Sequence, residues 1–212
     1  KYLLRKRHSF FFPRVPSATM RKLWTMLGHS HGTQFNASRL AASLGISSQT
    51  VSRYTDLLSD LFLVRKLTPW YVNVGKRLTK TPKVYVRDSG ILHALLNIEN
   101  HNSLSSHPVV GTSWESFVIE NIAAQVPQGA ELYFYRTSGG AEIDLLLKAS
   151  NGRTIAIEIK KNSVPHLERG FYEACADVQP DEKYLIYRGD DSFYLRNDVL
   201  AIGLKEFLQK SF

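Results

Sequence analysis

Glu142-Ile143-Asp144-Leu145-Leu146-Leu147-Lys148 and Thr154-Ile155-Ala156-Ile157-Glu158-Ile159-Lys160, joined around Asn151-Gly152, decide the reading of this chain. Both segments are short and apolar-rich, and the turn signal between them predicts an antiparallel pair of strands. A two-residue Asn-Gly turn would set Asp144 opposite Ile159 and Leu145 opposite Glu158, a poor match. A three-residue loop, Ser150-Asn151-Gly152 with Gly152 left-handed, instead pairs Ile143 with Ile159, Leu145 with Ile157 and Leu147 with Ile155. Apolar matching across the strands favours that register, because a slip of one residue turns every side chain to the other face.

The same register sets Asp144 across from Glu158, with Lys160 beside Glu142. Carboxylates about 5 Å apart at the backbone repel each other unless a cation lies between them. Oxygen-only donors suit Mg2+ or Mn2+. Lys160, two residues after Glu158 on one face, is placed to orient a water or to stabilise charge on a phosphate. The plainer reading is a solvated sheet face of salt bridges, and a helix expected on each side of the sheet argues against it.

Working outward, a helix is expected from Thr112-Ser113-Trp114-Glu115 to about Val126, before Pro127. Thr112 and Glu115 have the spacing of a capping box. Helical geometry also sets Glu115 amid the stripe Val118, Ile119, Ile122 and Val126, which directs its carboxylate at whatever the stripe covers. Leu132–Arg136 reads as a strand turned back by Ser138-Gly139-Gly140. After Lys160 the pattern predicts a helix over 165–178, packing through Leu167, Phe171, Ala174 and a core Cys175. Strands at 183–187 and 193–195 and a closing helix at 204–208 follow.

The N-terminal half reads differently. Residues 1–34 are expected as a connector with one helix through Leu23, Trp24 and Leu27; His29 and His31, lacking further metal ligands, read as ordinary polar loop residues. Over 35–98 the pattern is a winged helix. Asn36 caps one helix, Gly45 ends it, and Ser47 caps a second whose buried side is Val51, Tyr54, Leu57 and Leu58. Gln49, Thr50, Ser52 and Arg53 lie on the opposite face, suited to a major groove. Strands near 62–64 and 84–86 flank a basic stretch whose Lys76, Arg77, Lys80 and Lys83 are candidate phosphate contacts. A protein-docking winged helix is the competing reading, because fold does not fix function. Residues 99–110 read as a polar linker and 111–212 as the second domain.

Charge divides the same way. The net charge is +8, yet residues 1–110 hold 16 Lys+Arg against 4 Asp+Glu, and residues 111–212 hold 11 against 15. That asymmetry points to a basic binding half, with DNA as the expected partner, joined to a half with another task. One cysteine excludes a disulfide framework and fits a reducing cytoplasm. No apolar run reaches the roughly 20 residues of a membrane span, and no signal peptide is visible. A start at Lys1 fits a piece of something longer.

Glu115, Asp144, Glu158 and Lys160, in the order helix, strand, strand, resemble the PD-(D/E)XK nuclease core, with Ile143 where the motif name has proline. The resemblance implies that Asp144 and Glu158 bind a metal, that Lys160 assists the attacking water, and that Glu115 supports a metal. From about Phe35 onward the chain also resembles the C-terminal region of a prokaryotic family of AAA-type ATPases, in which an ATPase is followed by a winged helix and a nuclease-like domain of unknown function. The matching stretches include Thr50-Val51-Ser52-Arg53-Tyr54, Lys80-Thr81-Pro82-Lys83-Val84-Tyr85, Arg87-Asp88-Ser89-Gly90 and Ile157-Glu158-Ile159-Lys160. No G-x-x-x-x-G-K-[ST] occurs here, so the ATPase partner and its ATP site are expected outside these residues. The resulting expectation is an α/β chain, a winged helix followed by a PD-(D/E)XK-like mixed sheet flanked by helices. It would bind nucleic acid and cleave phosphodiesters with Mg2+, with self-association allowed. The alternative is a non-catalytic regulatory or docking module of that ATPase. A plain winged-helix regulator is a third reading, and it leaves the charged cluster unexplained.

Overall fold

Caps and turns set the first unit of the fold. In the structure, a computed structural model that describes residues 16–71, 75–164 and 166–210, Asn36 accepts the Arg39 N–H at 2.9 Å and starts helix α2, Ala37–Leu44. Gly45, at φ +66°, ends α2 in the left-handed conformation that costs glycine least. Ser47 accepts the Thr50 N–H at 3.1 Å and starts α3, Ser48–Asp60; each cap stabilises by about 1 kcal/mol. Helix α1, Ser17–His29, packs on both. Leu23, Leu27, Leu40, Val51, Tyr54 and Leu58 form the core beneath them, closed by Val64 and Val84. Burial of each such aliphatic side chain contributes about 1.5–3 kcal/mol.

The strands of that unit are β1, Thr33–Gln34, β2, Val64–Pro69, and β3, Lys83–Val86, all antiparallel. Strand β2 begins at Val64 and not at Phe62 because Phe62, at φ +59°, is still in the turn after α3. The stretch expected as a linker instead holds α5, His101–Ser106, after α4, Ser89–Leu95. Helix α6, Val110–Gln125, follows directly. Its first turn has no side-chain cap, so the capping box expected of Thr112 and Glu115 is absent and Glu115 is free for other partners.

The second unit runs β4, Glu131–Arg136, β5, Glu142–Lys148, β6, Thr154–Ile159, α7, Arg169–Val178, and β7, Glu182–Tyr187. It closes with β8, Phe193–Tyr194, β9, Leu200–Gly203, and the short α8, Leu204–Phe207. Strand β2 pairs in parallel with β4 through Thr68 and Pro69, so among the described residues the two units share one sheet of nine strands in the order β1-β3-β2-β4-β5-β6-β7-β9-β8. The architecture is mixed α/β. Leu145, Leu147, Ile155 and Ile157 pack with Val118, Ile119 and Ile122 of α6 on one side. Leu146 and Ala156 pack with Phe171 and Ala174 of α7 on the other.

The β5–β6 pairing has the register read from the sequence: Leu145 faces Ile157 and Leu147 faces Ile155, with Gly152 at φ +86°. One part of that reading fails. Between the pairs Tyr133–Leu146 and Tyr135–Ile143, β5 advances three residues while β4 advances two. Asp144 and Leu145 therefore share a β-bulge opposite Phe134, and the bulge turns Ile143 into the α7-side core, away from Ile159. The helix expected from Pro165 starts at Arg169, and Pro165 itself lies outside the described residues.

His31 corrects the loop reading made of it. It is 3 % exposed, with Nδ1 accepting the Val86 N–H at 3.0 Å and Nε2 in place to donate to the Thr112 carbonyl at 3.1 Å. Those two bonds fix the neutral Nε2–H tautomer and tie the turn before β1 to β3 and α6. Burial lowers its pKa to about 4, against the Thr112 carbonyl that favours the charged form. A depressed folded pKa makes its stabilisation complete above pH 6.5 and lost as pH falls toward 4, because a proton on Nδ1 displaces the Val86 amide. The stability advantage of the wild type over His31→Gln should shrink by about 3 kcal/mol between pH 7 and pH 4 in urea titrations. An advantage that does not change with pH would remove the neutral-histidine role.

Candidate functional site

The bulge on β5 and the end of β6 bring the charged groups together. Asp144 Oδ2 accepts the Ile159 N–H at 2.9 Å, so a carboxylate stands where a strand carbonyl would continue the ladder. Burial raises the Asp144 pKa well above the carboxylate range, with the Glu158 and Glu115 charges pushing the same way. Glu158, 6 % exposed, is also raised by burial, against the pull of Lys160 at 2.9 Å from its Oε1. The Lys160 pKa is lowered by burial but raised overall by Glu158. Two buried carboxylates that disfavour each other's charge form a site that a cation would relieve.

Glu115 comes from α6 and is held from the other unit. Its Oε1 accepts the Tyr85 hydroxyl at 2.5 Å and lies 3.3 Å from the Lys83 ammonium. Lys83 also bridges to Glu142 at 2.8 Å, and Arg136 approaches the other oxygen of Glu142 at 3.1 Å. Lys83 is 4 % exposed and sits over the Phe134 ring. Burial alone would lower its pKa, but Glu115, Asp144 and Glu142 outweigh that and hold it firmly charged. Lys83 is therefore an internal cation of the cluster and not the surface phosphate contact expected of it. The sequence carried no local sign of this, because the partners lie 32 and 59 positions away.

A divalent metal is tested by the donor set. Asp144 and Glu158 can offer two carboxylates, which suits an ion that keeps most of its waters. Glu115 is taken by Tyr85 and Lys83, and among the described residues no group of three or more His, Cys, Asp or Glu side chains is placed to hold a metal. With Glu115 engaged by Tyr85 and Lys83, Asp144 and Glu158 are the carboxylates of the expected set that remain to hold such an ion.

The remaining candidates divide. Gln49 and Arg53 are exposed on α3, and Thr50 and Ser52 are half-buried there. The basic loop between β2 and β3 lies along β4: the Thr79 N–H donates to the Arg136 carbonyl, the Ser138 N–H donates to the Arg77 carbonyl, and Lys76 pairs with Asp177 at 2.6 Å. Arg77 and Lys80 line a cleft of about 660 Å³ with Gln34 and Tyr71. Gln34 also borders a second cleft of about 500 Å³, lined by Arg39, Arg136 and Lys83. The two clefts share Gln34, and the second is bordered by Lys83, the cation that pairs with Glu115 and Glu142. Arg39 and Arg136 carry no local sign of a binding role in the sequence, because each is an isolated charge there.

No helix among the described residues is long and apolar enough to cross a membrane. Residues 4–102 match a family model described as Domain of unknown function (DUF8612), and residues 110–207 match Domain of unknown function (DUF4143). The chain is similar to an uncharacterized protein of Mycobacterium tuberculosis and to one of Mycobacterium bovis, each 43% identical over 195 residues. Those residues are 92% of this chain and 44% of each relative, so the chain spans less than half the relatives' length. No solved structure matches it. Two consecutive stretches of the chain are thus similar to domains of unknown function, and the charged cluster is assembled from residues of both stretches.

Proposed function

We propose that this chain binds nucleic acid and hydrolyses phosphodiesters, as a winged helix followed by a PD-(D/E)XK-like domain. The observation that carries the reading is the buried pair Asp144 and Glu158 with Lys160 beside it, at the ends of β5 and β6 in the order α6-β4-β5-β6-α7-β7. Asp144 and Glu158 would hold Mg2+ or Mn2+, which would supply Lewis-acid stabilisation of charge on the phosphate. Lys160 keeps its ammonium 2.9 Å from Glu158 and half-exposed, in reach of a water or a phosphate oxygen. Arg39, Arg77, Lys80 and Arg136 line clefts whose positive charge would attract a polyanion. The exposed Gln49 and Arg53 of α3 complete a surface suited to a duplex, and DNA is the partner we favour. The greater length of the relatives leaves room for the AAA-type ATPase that the resemblance implies.

A second reading, a non-catalytic docking or regulatory module of that ATPase, is favoured by Lys83. Its ammonium already balances Glu115 and Glu142, which leaves the cluster short of metal ligands.

Two outcomes separate these readings, and a third tests the role of Lys83 in the fold. Wild-type chain should cleave DNA only with Mg2+ or Mn2+, and Glu158→Ala should lose cleavage while keeping its circular dichroism spectrum; no cleavage of any DNA form, with no metal heat in calorimetry, would leave the docking module. Neutralising Arg77 or Lys80 should each lower the salt slope of DNA affinity by roughly 0.9, and an unchanged slope would remove the cleft as a DNA path. Lys83→Met should destabilise the fold by about 3–5 kcal/mol, because it leaves buried carboxylates without their cation. Adding Glu115→Gln should recover part of that loss in urea titrations.

A further inference from the structure

On the α6 side of the sheet, separate from the face that carries Glu158 and Lys160, lies a cavity of about 200 Å³ with aromatic and cationic walls. Trp114 and Phe117 stack with ring centroids 5.8 Å apart and an interplanar angle of 27°, and Phe117 is 42 % exposed. Lys161 and Arg188 share the lining with them. Their position follows from strand alternation. Ile157 and Ile159 of β6 and Tyr184 and Ile186 of β7 pack toward α6, and Lys161 and Arg188 continue those two rows past the strand ends. Strands β6 and β7 are parallel, so the cavity lies off their carboxyl ends, where open α/β sheets bind ligands.

Charge separates this cavity from the charged cluster. Lys83, Lys160 and Arg136 all have carboxylate partners, whereas Lys161 and Arg188 form no ion pair among the described residues. The indole N–H of Trp114 is also buried with no acceptor among the described residues. Two uncompensated cations beside an exposed aromatic stack attract an anion that carries a flat ring. His93 and Ser113, hydrogen-bonded at 2.9 Å, close the wall with polar groups.

We infer that this cavity binds an unpaired nucleotide, its base against Phe117 and Trp114 and its phosphate between Lys161 and Arg188. The inference rests on the nucleic-acid reading above and deepens it: a strand bound by this chain is held single-stranded beside α6. Stacking on aromatic rings tolerates any base, so the cavity sets strand form and not sequence.

The test uses the whole chain and a single-stranded oligonucleotide bearing 5-iodouracil. Irradiation should cross-link it to the peptide containing Trp114 and Phe117, and cross-links confined to α3 peptides would overturn the inference. Phe117→Ala, at an exposed ring, should weaken single-strand binding roughly 5- to 100-fold in fluorescence anisotropy while leaving duplex affinity unchanged. Lys161→Ala and Arg188→Ala should each lower the single-strand salt slope by about 0.7. Normal duplex binding with none of these effects would sink the cavity and leave the nucleic-acid reading standing. Absence of binding to any nucleic acid would sink both. Displacement of the oligonucleotide by AMP at matching concentration would keep the cavity as a nucleotide site and make its occupant a free nucleotide.

Discussion

The ammonium of Lys83 is the group on which the junction of the two units depends. It is buried among Glu115, Glu142 and Asp144, carboxylates delivered by a helix and a strand of the other unit. A buried charge costs several kcal/mol to desolvate and is tolerated only where partners converge on it. Strand β3 must therefore sit where those partners are, and Tyr85, two residues on, closes the same contact with its hydroxyl on Glu115. Other bonds on α6 follow. Arg65 and Arg87 both donate to Glu120, and the Ser116 hydroxyl donates to the Val86 carbonyl. One helix is thus clamped by polar bonds to the first unit while its apolar side covers the sheet of the second.

This arrangement sets the chemistry available at the strand ends. Within this cluster Glu115 and Glu142 pair directly with Lys83, whereas Asp144 feels the Lys83 charge without an ion pair and Glu158 is paired with Lys160. The β-bulge that moves Asp144 out of the regular ladder explains why its carboxylate binds the Ile159 amide. Strain of the cluster, in electrostatic terms, is concentrated on that one pair.

Much of this was legible in the chain because it is local. Asn36, Gly45 and Ser47 announce their helix ends through their own chemistry, and Leu145, Leu147, Ile155 and Ile157 select the β5–β6 register by matching across it. The bulge was not legible, since an extra residue in one strand shows only against its neighbour β4. Lys83 was misread for a similar reason: within Lys80-Thr81-Pro82-Lys83 it looks like surface charge, and only the tertiary fold buries it. His31 and the apparent capping box of Thr112 and Glu115 failed likewise, as long-range partners outcompeted the local reading. The cavity beside Phe117 escaped altogether, because an aromatic at helical spacing reads as core.

The nine-stranded sheet ends at both sides in strands of two residues, Thr33–Gln34 and Phe193–Tyr194. A sheet of this breadth would ordinarily present two long rows of unpaired amides and carbonyls, each a template for another chain. Here, among the described residues, the outermost strands are only two residues long and offer a short backbone edge. Among the described residues, then, an edge-to-edge contact offers little backbone, and the specificity of any association falls to side chains.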